Sequence, residues 1–166
     1  MQAQVIEAIS SGLHGKWTHI DPKKAIAGLS PADAKKKSDG IDHSCWELLH
    51  HTVFWLEILI NQIKGQAPDW HELESSETSE NWPSEESMQV DSNYHKLVDR
   101  FQAGIEDAQK LLEQVDFAKM AAGKPELSTI KLFLVLLQHT SYHIGQIITV
   151  RKCLGTWPPG GYQGLS

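Results

Sequence analysis

Several features that assign a protein to a familiar class are scarce or missing in this sequence. Its 166 residues include two cysteines, Cys45 and Cys153, which are too few for a disulfide framework. No apolar run approaches the ~18 residues that a membrane-spanning helix needs. The first residues also lack the basic segment followed by an apolar one that marks a secretory signal. We therefore expect a cytoplasmic protein without a membrane partner.

Positively charged residues are also fewer than negatively charged ones. The chain has 15 Lys and Arg residues against 21 Asp and Glu residues, so its net charge is −6 with neutral histidines. The cationic cluster at 35–37 is best interpreted as a solvated loop segment. A nucleic-acid partner, which would require a basic face, is not expected. Gly-rich phosphate loops, nucleophile elbows and nucleotide fingerprints are missing as well.

Hydrophobic periodicity is present, and it predicts helices. The four main ones lie at about 2–11, 44–65, 92–115 and 128–153. Ser44 and Glu47 fit a capping box at the start of the second helix, and Gly65 provides its stop. Two helical turns, 21–27 and 31–36, are predicted in the preceding loop, and no segment shows convincing strand alternation. We therefore predict one all-α domain over the whole chain, a four-helix bundle with long loops after the first and second helices.

Histidine is the most informative residue type that is present, with nine copies. His139 and His143 are four residues apart on the predicted fourth helix, so their side chains lie on one face, one turn apart. Two imidazoles in this arrangement can bind one divalent metal ion. The apolar stretch 130–137 predicts that this helix is central and buried, where an imidazole needs a partner. The spacing is also common by chance, so two core or surface histidines without a metal are the alternative interpretation.

The predicted second helix offers a third ligand. It carries His50 and His51 inside an apolar segment, and metal sites in helix bundles are assembled from side chains on facing helices. Three histidines that leave one position open are typical of a catalytic zinc site. Periodicity favours His51 mildly, because it shares a face with Leu48 and Trp55 while His50 lies about 100° away.

Three segments of the chain resemble the DinB/YfiT-like superfamily. They are SCWELLHH at 44–51, HTSYHIGQI at 139–147, and Arg151 followed by LGTWPP at 154–159. With their spacing, they extend the resemblance over effectively the whole chain. The resemblance implies a four-helix bundle, often dimeric, with a metal site made by one histidine of the second helix and two of the fourth.

The resemblance also implies which histidine of the second helix is the ligand. In the family pattern it follows the acidic helix-start residue by four positions, and here the count from Glu47 gives His51. The implied ligand set is therefore His51, His139 and His143. Imidazoles suit zinc, nickel, copper and iron, and we favour zinc or nickel.

Three functions follow from the resemblance and stay open at this point. Family members include predicted metal hydrolases and transferases that use low-molecular-weight thiols such as bacillithiol or mycothiol. We favour thiol transfer slightly, because no general base is evident near the histidines, although glutamates of the 65–90 loop could supply one by folding over the site. The alternatives are a non-catalytic metal-binding stress-response protein and a dimeric interaction module with an unused site.

The neighbouring residues receive more modest predictions. Gln146, one turn beyond His143, is a candidate to hydrogen-bond a metal-bound water, to orient a ligand or to contact another helix. Gly145 is expected to allow close helix packing. His43 precedes the cap of the second helix and could flank the site, but a solvated loop residue is the favoured interpretation. Structural roles are expected for Tyr142 and Arg151. Both cysteines are expected to be buried thiols.

Overall fold

Four long amphipathic segments form the main helices of a bundle. The computed structural model describes residues 2–69, 73 and 79–160 of the chain. The main helices are α1 (Gln2–Leu13), α4 (Cys45–Ile63), α5 (Asp91–Leu111) and α6 (Thr129–Cys153). The predicted all-α four-helix bundle is therefore confirmed. None of the helices in these ranges is long and apolar enough to cross a membrane.

Helix α4 begins where the capping box places it. The Ser44 side chain accepts a hydrogen bond from the Glu47 N–H, and the Glu47 carboxylate accepts one from the Ser44 N–H at 2.7 Å. Such a cap contributes about 1 kcal/mol. The helix is followed by Gly65, whose φ of +93° is a conformation that suits glycine. The cap fixes the register of α4, and with it the direction in which His51 points, about two turns further on.

The core lies where α4 packs against α5 and α6. Each of these helices contributes fully buried side chains, including Leu49, Val53, Phe101, Ile105, Phe133 and Leu136. Within the 130–137 stretch, Leu132, Phe133 and Leu136 are buried, as expected of a central helix, whereas Leu134 and Val135 are 44% and 42% exposed. The apolar stretch therefore covers more of the α6 surface than the bundle buries.

Two short helices in the first loop follow the predicted turns. They are α2 (Pro22–Ile26) and α3 (Pro31–Ala34), capped by the Asp21 and Ser30 side chains. Arg151, 1% exposed, donates hydrogen bonds to the Ala25 and Ala27 carbonyls, at 2.6 and 3.1 Å, and to the Thr156 carbonyl. This arginine therefore ties the first loop to α6 and has the structural role expected of it.

The expectation of no strand was wrong at one place. β1 (Met120–Ala121) pairs in antiparallel fashion with β2 (Lys124–Ser128), immediately before α6. The hairpin is anchored by hydrogen bonds from the Thr129 N–H and hydroxyl to the Lys119 carbonyl, at 2.8 and 3.0 Å. β1 has two residues, and the five residues of β2 include Pro125, so neither strand shows the alternation by which a strand is identified in a sequence.

Candidate metal centre

Three imidazoles from two helices meet at the interface of α4 and α6. His51 projects from α4, and His139 and His143 project from α6, one turn apart. The His139 Nε2 atom lies 3.2 Å from the His51 Nε2 atom and 3.1 Å from the His143 Nε2 atom. Nitrogens bound to one tetrahedral zinc ion at 2.0–2.1 Å are about 3.3 Å apart. Two of the three nitrogen–nitrogen distances in the cluster therefore match those around a single ion.

A glutamine fixes the proton position on one of the three rings. The Gln146 Oε1 atom lies 2.6 Å from His143 Nδ1, and an amide oxygen can only accept a hydrogen bond. The His143 proton therefore sits on Nδ1, and its Nε2 atom presents a lone pair to the cluster. The Gln146 Nε2 atom in turn donates to the Tyr142 hydroxyl at 3.3 Å. The sequence leaves three roles open to Gln146: a bond to a metal-bound water, orientation of a ligand, and contact with another helix. The hydrogen bond to His143 Nδ1 corresponds to the second of these.

The environment of the cluster keeps its rings neutral. Burial, and secondarily the proximity of His143, lowers the pKa of both His51 and His139 to about 4. Burial also lowers the pKa of His143. Only the neutral imidazole has a lone pair for a metal. At neutral pH the cluster therefore offers nitrogen donors and no positive charge that would repel a cation.

No carboxylate or thiol joins this group in the described part of the chain. The candidate metal-binding group there consists of His51, His139 and His143, with one ligand atom of each within 4.8 Å of the others. Three nitrogen donors are one short of the four that a tetrahedral ion takes. The arrangement is therefore one that could hold a metal and leave a position for another ligand.

His50 points away from this cluster and holds the second loop in place. Its Nε2 atom donates to the carbonyl of Glu80 at 2.9 Å, within the short 3-10 helix Ser79–Asn81. The two adjacent histidines of α4 are thus divided, one facing the loop and the other, His51, facing the cluster. The described part of the long loop therefore does fold over this side of α4.

Trp82, from the same loop, covers one face of the His51 ring. Its ring stacks on His51 with centroids 4.5 Å apart and on His43 with centroids 4.0 Å apart. The prediction that His43 is a solvated loop residue was therefore wrong, because it is half-buried against an indole. Sequence spacing contained no signal for these contacts.

Asn81 lies against the outer edge of His51. The His51 Nδ1 and Asn81 Oδ1 atoms are both buried, and neither has a hydrogen-bond partner. Asn81 nevertheless lies close enough to raise the pKa of His51, against the larger effect of burial. A ring that presents a lone pair at Nε2 carries its proton on Nδ1. Asn81 therefore provides an acceptor beside the atom that would need one.

None of the described glutamates of the 65–90 loop joins the three histidines. Glu85 and Glu86 are exposed, and Glu80 contacts α4 through its backbone carbonyl. Three further glutamates of this loop, Glu72, Glu74 and Glu77, lie outside the described residues. Trp70 and His71 also lie outside them.

The cysteines do not supply a nucleophile to this site. Cys45 is buried, and burial raises the pKa of its thiol to about 12, so it stays protonated. The expectation that Cys153 is also buried was wrong, because it is exposed at the end of α6.

A cavity of about 500 Å³ lies beside the cluster. It is bounded by the 40–43 segment and by one face of α6 that includes Tyr142, Gly145, Gln146 and Thr149. The expectation that Gly145 allows close helix packing was wrong, since a Cβ added there would meet no atom within 4 Å. A glycine inside a helix is about 1 kcal/mol less stable than alanine. Packing does not explain its presence here.

A comparison with known protein families finds one match that includes both the bundle and the three clustered histidines. The family model of the DinB superfamily matches residues 23–147. No curated protein and no solved structure matches the chain significantly. The matched segment contains α4, α5 and the three clustered histidines, and it ends before Arg151 and the 154–159 segment. Because the match extends over well more than half of the sequence, the chain belongs to the DinB superfamily.

Proposed function

We propose that this protein binds one divalent metal ion through the Nε2 atoms of His51, His139 and His143. The observation that carries the proposal is the convergence of three neutral imidazoles, one of which has its lone pair directed inward by Gln146. Such a donor set suits several transition metals, and we favour zinc or nickel.

We further propose that the site is catalytic and acts on a small molecule. A divalent ion held there would supply a Lewis acid that lowers the pKa of a bound thiol or water. Gln146 would keep the His143 Nδ1 proton in place, and Trp82 would shield the His51 ring from bulk water. Thiol transfer is favoured over hydrolysis, because no carboxylate joins the three histidines in the described residues.

A metal titration separates His51 from its neighbour. Metal-free protein is titrated with zinc and with nickel by calorimetry, beside His51→Ala and the matched variant His50→Ala. We expect one ion per chain for the unchanged protein and for His50→Ala, and loss of at least 100-fold in affinity for His51→Ala. The reverse order of the two variants would reject the ligand assignment.

An activity screen addresses the chemistry. The metal-loaded protein is assayed with thiols and electrophiles, and in parallel with a panel of esters and amides. Thiol-dependent turnover that disappears in His143→Ala supports the transferase. Ester or amide turnover supports the hydrolase instead. Saturable metal binding without turnover supports a non-catalytic metal-binding protein.

A further inference from the structure

The cavity beside the cluster has the size of a ligand site. At about 500 Å³ it falls in the range of pockets that hold small organic molecules. Its floor is the outward face of α6, and its rim is the loop segment 40–43 that precedes the α4 cap. The capping box and the helix therefore both hold its walls in place.

Gly145 keeps the floor of this cavity open. It lies in the interior of the 25-residue helix α6, where glycine weakens the helix. A Cβ at this position would meet no atom within 4 Å, so a side chain would enter the cavity without disturbing the bundle. Glycine therefore does not improve packing here. Its effect is to leave the cavity volume free of a side chain.

The cavity shares its wall with the three-histidine cluster. Gln146 lines it and accepts a hydrogen bond from His143. His43 lines it and stacks on Trp82, which stacks in turn on His51. A molecule in the cavity would therefore be separated from the His143 ring by Gln146 alone, and from the His51 ring by His43 and Trp82.

The lining determines what kind of molecule fits. Among the described residues that line the cavity, Asp42 contributes the one formal charge, and no Lys or Arg is present. The Tyr142 hydroxyl accepts from Gln146, which leaves its own proton free to donate to a ligand. Apolar surface comes from Ile41 and Leu48. An anion would meet a like charge, whereas hydroxyl and amino groups would find partners.

We infer that this cavity binds a compact, uncharged or cationic organic molecule that carries hydroxyl or amino groups. The binding of such a molecule does not depend on the proposed metal chemistry. Its role as the substrate does rest on that proposed function. The cavity discriminates against carboxylates and phosphates.

Three probes on one scaffold test the inference: tyramine (cationic), tyrosol (neutral) and 4-hydroxyphenylacetate (anionic). Each is titrated into the full-length chain, with and without zinc, while backbone amide shifts are followed by NMR. We expect saturable shifts at Gly145 and Thr149 with tyramine and tyrosol, and at least threefold weaker binding of the anion. Asp42→Asn should reduce tyramine binding to the level of tyrosol.

Two cavity-filling variants provide the control. Gly145→Leu, and independently Thr149→Phe from the next turn, should weaken tyramine and tyrosol at least tenfold while zinc binding and the melting temperature are retained. Unaltered probe binding in both folded variants would overturn the inference, as would the absence of saturable shifts in the unchanged protein or tightest binding of the anion. Failure of zinc binding in the unchanged protein rejects the metal proposal instead, since the metal-free titration still reports on the cavity.

Discussion

The Nδ1 proton of His143 determines what the clustered imidazoles can bind. With that proton held by Gln146, the Nε2 lone pair faces His139 at 3.1 Å. Lone pairs at such short separations favour a cation between them. The chemistry of the site therefore depends on a residue that does not itself belong to the cluster.

Replacing Gln146 tests this dependence. Gln146→Leu removes the acceptor, so His143 can move its proton to Nε2, and we expect zinc affinity to fall about 10- to 100-fold. Gln146→Glu keeps an acceptor at the same place and should retain the affinity. Chelator competition measures both, and Gln138→Leu, an exposed glutamine on the same helix, is the matched control. Equal affinities for Gln146→Leu and Gln138→Leu would show that the hydrogen bond does not act on the metal.

The low pKa values of the cluster predict an acid-sensitive metal-free protein. His51 and His139 have pKa values of about 4 in the folded chain, below the ordinary 6.5. Between these values the unfolded chain binds more protons than the folded one, so stability falls as the pH drops from about 6.5 towards 4. We expect a lower urea midpoint at pH 5 than at pH 7. The decrease should shrink in the double variant His51→Gln, His139→Gln.

An unchanged decrease in that double variant would assign the acid sensitivity to other groups. The carboxyl groups of Asp33, Glu47 and Glu106 have pKa values lowered from ordinary values of 3.8 and 4.5, so they contribute only a small part of the decrease above pH 5. Because both proteins contain these groups, the comparison between them is unaffected.

At the scale of secondary structure elements, substitution of Gly145 tests whether this glycine is needed for helix packing or only leaves the cavity open. If the glycine permitted helix contact, Gly145→Ala would clash and destabilise the protein. Because a Cβ there meets no atom within 4 Å, we expect Gly145→Ala to stabilise the chain by up to about 1 kcal/mol through helix propensity. Urea denaturation measures the change, and a clear loss of stability would contradict it.

The helices were predictable from the sequence where local chemistry determines them. The Ser44–Glu47 box and Gly65 act over three or four residues, so the bounds of α4 could be deduced. The facing of His139 and His143 follows from helix geometry in the same way. Periodicity favours His51 over His50 only mildly, because both positions lie within an apolar run, and the family pattern provides the stronger argument.

Other features depend on tertiary contacts that no local pattern reveals. The stacking of Trp82 on His43 and His51 depends on the path of a loop some thirty residues further along the chain. Leu134 and Val135 are exposed although their segment is apolar, because periodicity does not show how much of a helix its neighbours cover. The hairpin at 120–128 was not predictable, because β1 has two residues and β2 contains Pro125 and lacks apolar alternation.

At the scale of the whole molecule, we propose a homodimer. The family resemblance motivates it, and α6 leaves Leu134, Val135 and Tyr142 at 42–64% exposure along one helix. Sedimentation at micromolar concentration should show a species of about twice 18.6 kDa. Leu134→Glu and Val135→Glu, at exposed positions, should return it to the monomer with the fold intact. A single 18.6 kDa species for the unchanged protein would reject the dimer.

The most direct test of the central claim is anomalous diffraction from crystals grown with zinc or nickel. Data collected on both sides of the absorption edge of the metal identify the ion and its ligands together. We predict one anomalous peak per chain, about 2.0–2.1 Å from the Nε2 atoms of His51, His139 and His143, with a further position occupied by a non-protein ligand. A peak coordinated by other residues, or no peak at the cluster in metal-saturated crystals, would contradict the account.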